Sequence, residues 1–305
     1  MSTLELVLVS RIWDEAPHNA FTDLIRWEGR WWCTFREGHD HISGDGALRV
    51  IVSDDGDTWE SAGLVTVDGL DLRDPKLSVT ADGMLMLLAG ERHMPDGENW
   101  ENSSMTFFSQ DGHAWHGPFS VADQGVWLWR ATWHDGLAWG FGYGCQPRGF
   151  LRLYQSRCGR RFDAIGEDMP IADYPDETAL VFRASGTALC LLRMDGEDYI
   201  GRIGEAEPPW VDWRWRNLGV RIGGPEMIEL PDGRLLACCR LYDERVRTSL
   251  LWLNEAEATL TEALELPSGG DTSYAGMVWH DDLLWVAYYS SHEEKTCIYL
   301  AKVRV

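Results

Sequence analysis

The chain has 305 residues, among them 17 Trp and 31 Gly, and 45% of it is hydrophobic, which supports a large core and excludes a disordered chain. Lys and Arg total 27 against 49 Asp and Glu, and the resulting net charge of −22 repels phosphate backbones and anionic lipid, so neither nucleic acid nor a membrane surface is an expected partner. No run of about 18 apolar residues marks a transmembrane helix.

The first element in chain order is the apolar stretch LELVLVSRIW, read as a strand. It follows an opening without the basic segment of a signal peptide. Seven cysteines at 33, 145, 158, 190, 238, 239 and 297 form no CxxC and sit mostly in apolar runs. Together these features lead us to expect a cytoplasmic protein with reduced, buried thiols.

Six hairpin signals follow, each an apolar run, a short polar turn and a second apolar run: FTDLIRWEGRWWCTFREG, PKLSVTADGMLMLLAGER, LWRATWHDGLAWGFGYG, TALVFRASGTALCLLR, PEMIELPDGRLLACCR and YAGMVWHDDLLWVAYYSS. Their turn residues are Gly29, Gly83, Gly136, Gly186, Gly233 and Asp282, at separations of 54, 53, 50, 47 and 49. Glycine after an acidic residue tolerates positive φ and marks a hairpin. A third apolar stretch follows each hairpin, and usually a fourth. Four short strands repeated about every fifty residues predict an all-β, six-bladed propeller. It fills residues 1–305 as one domain. The last repeat lacks a fourth strand, which LELVLVSRIW supplies, closing the ring and hiding its edges.

Between the third and fourth strands of a repeat lies a smaller motif, Ser53-Asp54-Asp55-Gly56-Asp57-Thr58-Trp59 and again Ser109-Gln110-Asp111-Gly112-His113-Ala114-Trp115, with a worn copy from Ser156 to Phe162. An Asp that bonds backbone two residues on, a Gly and a plugging aromatic make a structural turn. These residues resemble the Asp-box of sialidases and other BNR-repeat propellers, one residue shorter than the usual spacing.

In such a ring the starts of first strands and the ends of second strands meet at one mouth. Counting seven past each turn residue gives Arg36, Gly90, Tyr143, Arg193, Arg240 and Tyr289. Three arginines in register in so acidic a chain predict an anion pocket suited to a carboxylated sugar. Residues entering the first strands face the same mouth: Asn19, Thr22 and Asp23, then Arg73, Asp74 and Lys76, then Trp127, Trp129 and Arg130, then Asp176 and Glu177, Glu226, and finally Asp271, Ser273 and Tyr274. Trp129 or Trp127 offers a face for a sugar ring.

The resemblance implies a glycosidase with a tyrosine nucleophile, because a carboxylate beside the anomeric carbon repels an anionic one. Glu177 precedes Arg193, and Arg240 precedes Tyr274, in the sialidase order. By that likeness Tyr274 is the nucleophile, Glu177 its base, and Arg193, Arg240 and Arg36 the clamp. Asp45 is the acid/base, with Asp40 as rival. The chain departs from the family where Ala20-Phe21-Thr22-Asp23 replaces an arginine motif, and Glu226 and the Arg73-Asp74-Pro75-Lys76 cluster have no family counterpart. The histidines at the mouth, His39, His41, His93 and His292, fit no zinc spacing, so no metal or other cofactor is expected. A uronate lyase, with Tyr143, Tyr289 or a histidine at the mouth as base, and a carbohydrate-binding propeller without catalysis are the competing readings.

Overall fold

The computed structural model describes residues 3–94, 99–145, 148–171 and 173–305. Its strands form six antiparallel sheets around one axis, and no helix occurs among the described residues. Blade 1 runs His18–Trp27, Arg30–Gly38, Ala47–Ser53 and Glu60–Val65, from the axis outward. Blade 2 is Asp71–Val79, Leu85–His93, Glu101–Ser109 and His116–Val121. Blade 3 has a broken inner strand, Val126–Leu128 and Thr132–His134, before Leu137–Cys145, Arg148–Ser156 and Asp163–Ile165. Blade 4 is Pro175–Phe182, Ala188–Met194, Arg202–Ala206 and Arg214–Asn217, and blade 5 is Gly223–Glu229, Leu235–Leu241, Arg247–Asn254 and Thr259–Glu265. Blade 6 takes Thr272–His280, Leu283–Ser290 and Cys297–Arg304 from the end of the chain. Its outermost strand is Glu5–Trp13, antiparallel to Cys297–Arg304 with Glu5 opposite Arg304.

The blades are fastened to one another by aromatic rings. In the Ser53–Trp59 turn, Asp55 accepts the Asp57 and Thr58 N–H groups at 2.8 and 2.9 Å, while Ser53 Oγ accepts Gly56 N–H at 2.8 Å. Asp111 and Ser109 repeat the arrangement at Gly112. Gly112 has φ +76°, and a Cβ there would stand 2.1 Å from the Trp32 ring of blade 1. Gly56 meets Trp285 of blade 6 in the same way. The glycine therefore serves twice, as the left-handed corner and as the flat seat for the preceding blade's indole. Burying each such ring contributes roughly 2–3 kcal/mol. Trp285 in turn stacks on Trp31 with ring centroids 4.2 Å apart, tying blade 6 to blade 1.

Closure by the N-terminal strand generates a prediction. Removing residues 1–13 should strip blade 6 of its outer strand and expose Cys297–Arg304 as an open edge. The expected outcome is aggregation or a strongly lowered Tm, read by light scattering and calorimetry. An unchanged Tm would mean that the ring does not need this strand.

Candidate active site

Near the mouth, every inner strand carries one residue more than its partner. Between the pairs Ala20–Arg36 and Asp23–Thr34, three steps on one strand face two on the other. The same slip falls between Arg73 and Lys76, Pro175 and Thr178, Gly223 and Glu226, and Ser273 and Gly276. In blade 3 it is the break between Leu128 and Thr132. Such a bulge interrupts the in–out alternation and re-aims side chains. Phe21, Asp74, Trp129, Asp176, Gly224 and Tyr274 thus occupy equivalent places around the axis. Four of them are left-handed: Phe21 (φ 65°), Asp74 (50°), Gly224 (53°) and Tyr274 (53°).

The bulges of blades 4 and 6 bring Tyr274 and Glu177 together. The Tyr274 hydroxyl donates to Glu177 Oε1, and Arg193 Nη1 donates to both, at 3.1 Å to the phenol and 2.7 Å to the carboxylate. Glu177 Oε2 accepts the Gly224 N–H at 2.6 Å, so both of its oxygens are held. Gly224 has a steric part as well, since a Cβ there would meet Tyr274 Cδ2 at 2.8 Å. Arg240 lies over the Tyr274 ring, 5.2 Å from its centroid, and donates to Tyr289 Oη at 2.8 Å and Asp271 Oδ1 at 3.3 Å. Burial, reinforced by Glu177, pushes the Tyr274 phenol well above the ordinary tyrosine range, although Arg193 and Arg240 pull the other way. The group is a protonated phenol with a base already on its proton.

A cavity of about 710 Å³ opens between blades 2, 3 and 4; Tyr274, Glu177, Arg193 and Arg240 do not line it, and it adjoins them through Asp176 and Asp195. Arg73, Trp127, Tyr143, Asp176 and Asp195 line it, and Asp195 holds Arg193 through Nε and Nη2 at 3.0 and 2.8 Å. Two carboxyl groups at bulges are unusually basic. Burial pushes Asp74 up to about 6 against the pull of Arg73 and Lys76, and burial with the neighbouring Glu177 pushes Asp176 up to about 7. Asn99 and Trp100, which also line the cavity, stand on the connection before the third strand of blade 2, and Asn102 is that strand's second residue; none of them is singled out by the sequence.

Several expected site residues lie elsewhere. Arg36 is completely buried, and its guanidinium is bonded to Asp71 at 2.8 Å, the carbonyls of Asp40 and Ser43 at 2.9 and 2.8 Å, and Ser43 Oγ at 3.1 Å. It props the loop after the first hairpin and has no edge left for a ligand. Arg130 and Glu226 pair with each other below the bulge, where Arg130 also holds Asp23 at 3.1 Å. Both line a separate 550 Å³ cavity with Trp133 and Glu229 of the hairpin-turn face. Beyond a bulge the alternation resumes with the opposite sense, which turns them away from the mouth. Trp129 is buried, packed edge-on against Tyr274 at 5.4 Å, and offers no face to a sugar. Asp45 is exposed and accepts the His39 N–H on both oxygens at 3.2 Å. Its slight burial is outweighed by bonds from Ser43 and His39, which hold it below the usual carboxylate range, the wrong direction for a general acid.

Tyr143 and Arg193 are also not in register with Arg36 and Arg240. The residues that pair across the bulge are Arg36, Gly90, Gly142, Met194, Arg240 and Tyr289. The bulge falls one residue nearer the turn in blade 3 and one residue farther from it in blade 4 than in the other blades, so a fixed count from the turn drifts there. Arg193 reaches Glu177 from the opposite face of its strand.

No protein-family model and no curated protein matches the sequence. Solved structures do. A protein of unknown function from Dyadobacter fermentans superposes with a TM-score of 0.88 at 18% identity over 100% of both chains. Trypanosoma rangeli sialidase, solved with the inhibitor DANA, gives 0.72 at 14% identity over 94% of this chain and 55% of the sialidase. An α-L-arabinofuranosidase from Fusarium graminearum, solved with an iminosugar inhibitor, gives 0.74 at 12% identity over 98% and 97%. The chain has the six-bladed propeller fold of these structures. It spans about half the length of the sialidase and nearly all of the arabinofuranosidase.

Arg36 in this propeller supplies a stability test. Arg36→Met leaves Asp71 buried beside Arg73 alone and frees the carbonyls of the 40–43 loop. Loss of one partner from a buried pair costs about 3–5 kcal/mol. Urea denaturation should show that loss. A variant as stable as the parent would return Arg36 to the list of ligand-binding residues.

Proposed function

We propose that this propeller is a retaining glycoside hydrolase acting on a terminal, carboxylate-bearing sugar. The observation that carries the reading is the Tyr274–Glu177 hydrogen bond braced by Arg193. A phenol is a poor nucleophile until a base removes its proton. Here Glu177 takes that proton as Tyr274 Oη bonds to the anomeric carbon, and Arg193 steadies the charge passing between them. The glycosidic C–O bond breaks and its oxygen takes the proton of Asp74. Water then attacks the anomeric carbon with Asp74 as base, and Tyr274 leaves with its proton restored from Glu177. Two displacements retain the configuration.

The sugar carboxylate is received by Arg240 and Arg193, joined by Arg73 in place of Arg36. Arg73 bonds Asp71 and the His41 carbonyl through Nη1 alone, at 3.1 and 2.8 Å, and its remaining edge faces the cavity it lines. A neutral glycoside is the second reading. It is favoured by the carboxylates already on Arg193 and Arg240, namely Asp195 and Asp271.

Two measurements test the assignment. Incubation with a fluorinated acidic sugar should add one glycosyl mass to the intact protein and none to Tyr274→Phe, with the label mapping to the Tyr274 peptide. Labelling of the phenylalanine variant removes the nucleophile, and labelling only by a neutral fluoro-sugar selects the second reading.

The acid role of Asp74 predicts a pH dependence. A general acid works while protonated, so kcat/KM should be full below its pKa and fall as pH rises through about 6. Asp74→Asn should abolish that limb and slow turnover by about 10²–10⁴-fold on substrates with poor leaving groups. An unchanged profile would transfer the role to Asp176.

A further inference from the structure

We propose that His18, His41 and Asp271 form a binding site for a divalent metal ion of the zinc class at the rim of the mouth. The three come from distant parts of the chain. His18 opens the inner strand of blade 1, His41 stands in the loop after the first hairpin, and Asp271 precedes the inner strand of blade 6. One ligand atom from each lies within 4.8 Å of the others.

The spacing suits a tetrahedral ion. Ligand atoms about 2.0–2.2 Å from such a metal lie roughly 3.3 Å from each other. His18 Nε2 is 3.2 Å from Asp271 Oδ2 and needs no adjustment. His41 Nδ1 is 2.6 Å from the same oxygen and must withdraw by roughly 0.7 Å. Its side chain is 42% exposed on a loop, so that movement is open to it.

Three further observations show a built arrangement. The loop bearing His41 is held by two buried arginines, Arg36 on the carbonyls of Asp40 and Ser43 and Arg73 on the carbonyl of His41 itself. His18 is 6% exposed, yet its Nδ1 has no hydrogen-bond partner, so the ring is oriented by what Nε2 faces and by packing against Phe21 and His41. The second oxygen of Asp271 is taken by Tyr289 Oη at 2.7 Å and by Arg240, which is how a ligating carboxylate is usually steadied.

Two imidazoles and one carboxylate are borderline ligands that favour Zn²⁺ over Mg²⁺ or Ca²⁺. Three protein ligands leave a fourth position open on the exposed side of His41 for water or a ligand oxygen.

The site is tested on the full chain without substrate, so its outcome is independent of the role given to Tyr274. Protein stripped by chelator is dialysed against buffered Zn²⁺, and bound metal is counted by mass spectrometry. Wild type and the exposed-histidine control His116→Ala should each retain one zinc per chain. His41→Ala should bind at least about tenfold more weakly, with its metal-free Tm unchanged because the residue is in a loop. Asp271→Asn should weaken zinc binding likewise, with a lowered Tm because Asp271 also pairs with Arg240. If that variant misfolds, Co²⁺ substitution decides: visible d–d absorption bands should appear in wild type and vanish in His41→Ala. A wild type that retains no zinc, or a His41→Ala variant that retains a full equivalent, overturns the proposal.

Discussion

At the level where the blades converge, each inner strand holds one residue more than its partner, and the mouth depends on that surplus. A regular strand sends alternate side chains to opposite faces, so neighbours such as Asp176 and Glu177 would part company. The bulge lets the two present carboxyl groups to one region. It also bends Tyr274 into a left-handed backbone, at a cost of order 1–3 kcal/mol for such a residue. Phe21 and Asp74 carry the same strain, and the ring of sheets on either side holds it in place. Gly224 belongs to the same device, with its N–H on Glu177 and its bare Cα against the Tyr274 ring.

The net charge of −22 conceals an axis lined with cations. Arg36, Arg73, Arg130, Arg193, Arg240 and Lys76 are all buried or nearly so, and each has carboxylates close by. Buried pairs add little net stability compared with apolar packing, but removing one partner is expensive. Their effect here is directional. Each guanidinium is fixed in plane by two or more partners, so the donors that remain are few and aimed. Arg36 spends four of its five N–H donors on Asp71, Asp40 and Ser43 and is fully buried, whereas Arg73 lines the cavity. Two arginines of one chemical type therefore have different fates because of the carbonyls and carboxylates that surround them.

The ring was legible in the sequence because hairpin period, turn chemistry and the orphan N-terminal strand are local signals. The meeting of Tyr274 with Glu177 and Arg193 was expected only from the order these residue types take in the sialidases that the chain resembles. Side-chain direction near the mouth was not. It depends on a bulge that leaves no mark in the hydrophobic pattern, and so Arg130 and Glu226 were expected above the ring and stand below it. A bulge set one residue nearer the turn in blade 3 and one farther in blade 4 moved Tyr143 and Arg193 out of the register counted for them. Burial was likewise unreadable for Arg36, since an arginine at a strand end looks the same in sequence whether it faces water or Asp71. The zinc-class site was missed for a further reason: ligands at 18, 41 and 271 are joined by ring closure, not by spacing.

Phe21 shows how one substitution in the repeat propagates through the site. It holds the bulge position of blade 1 and touches three sides of the mouth, with ring centroids 5.3 Å from Tyr274, 5.5 Å from Tyr289 and 5.2 Å from His41. An arginine at this place would put a cation beside Tyr274 directly. The phenyl ring instead receives the Arg73 guanidinium on its face at 4.9 Å, so the charge arrives from blade 2. A cation over an aromatic face gains about 0.5–2 kcal/mol and is held parallel to it. The third positive group is thereby displaced toward the cavity of blades 2 to 4, next to Asp74. On the proposed reading, the arginine that binds the sugar's charge and the acid that protonates its leaving oxygen are then neighbours on one bulge. Burial raises the pKa of Asp74 and Arg73 lowers it, and the balance places that carboxyl at about 6.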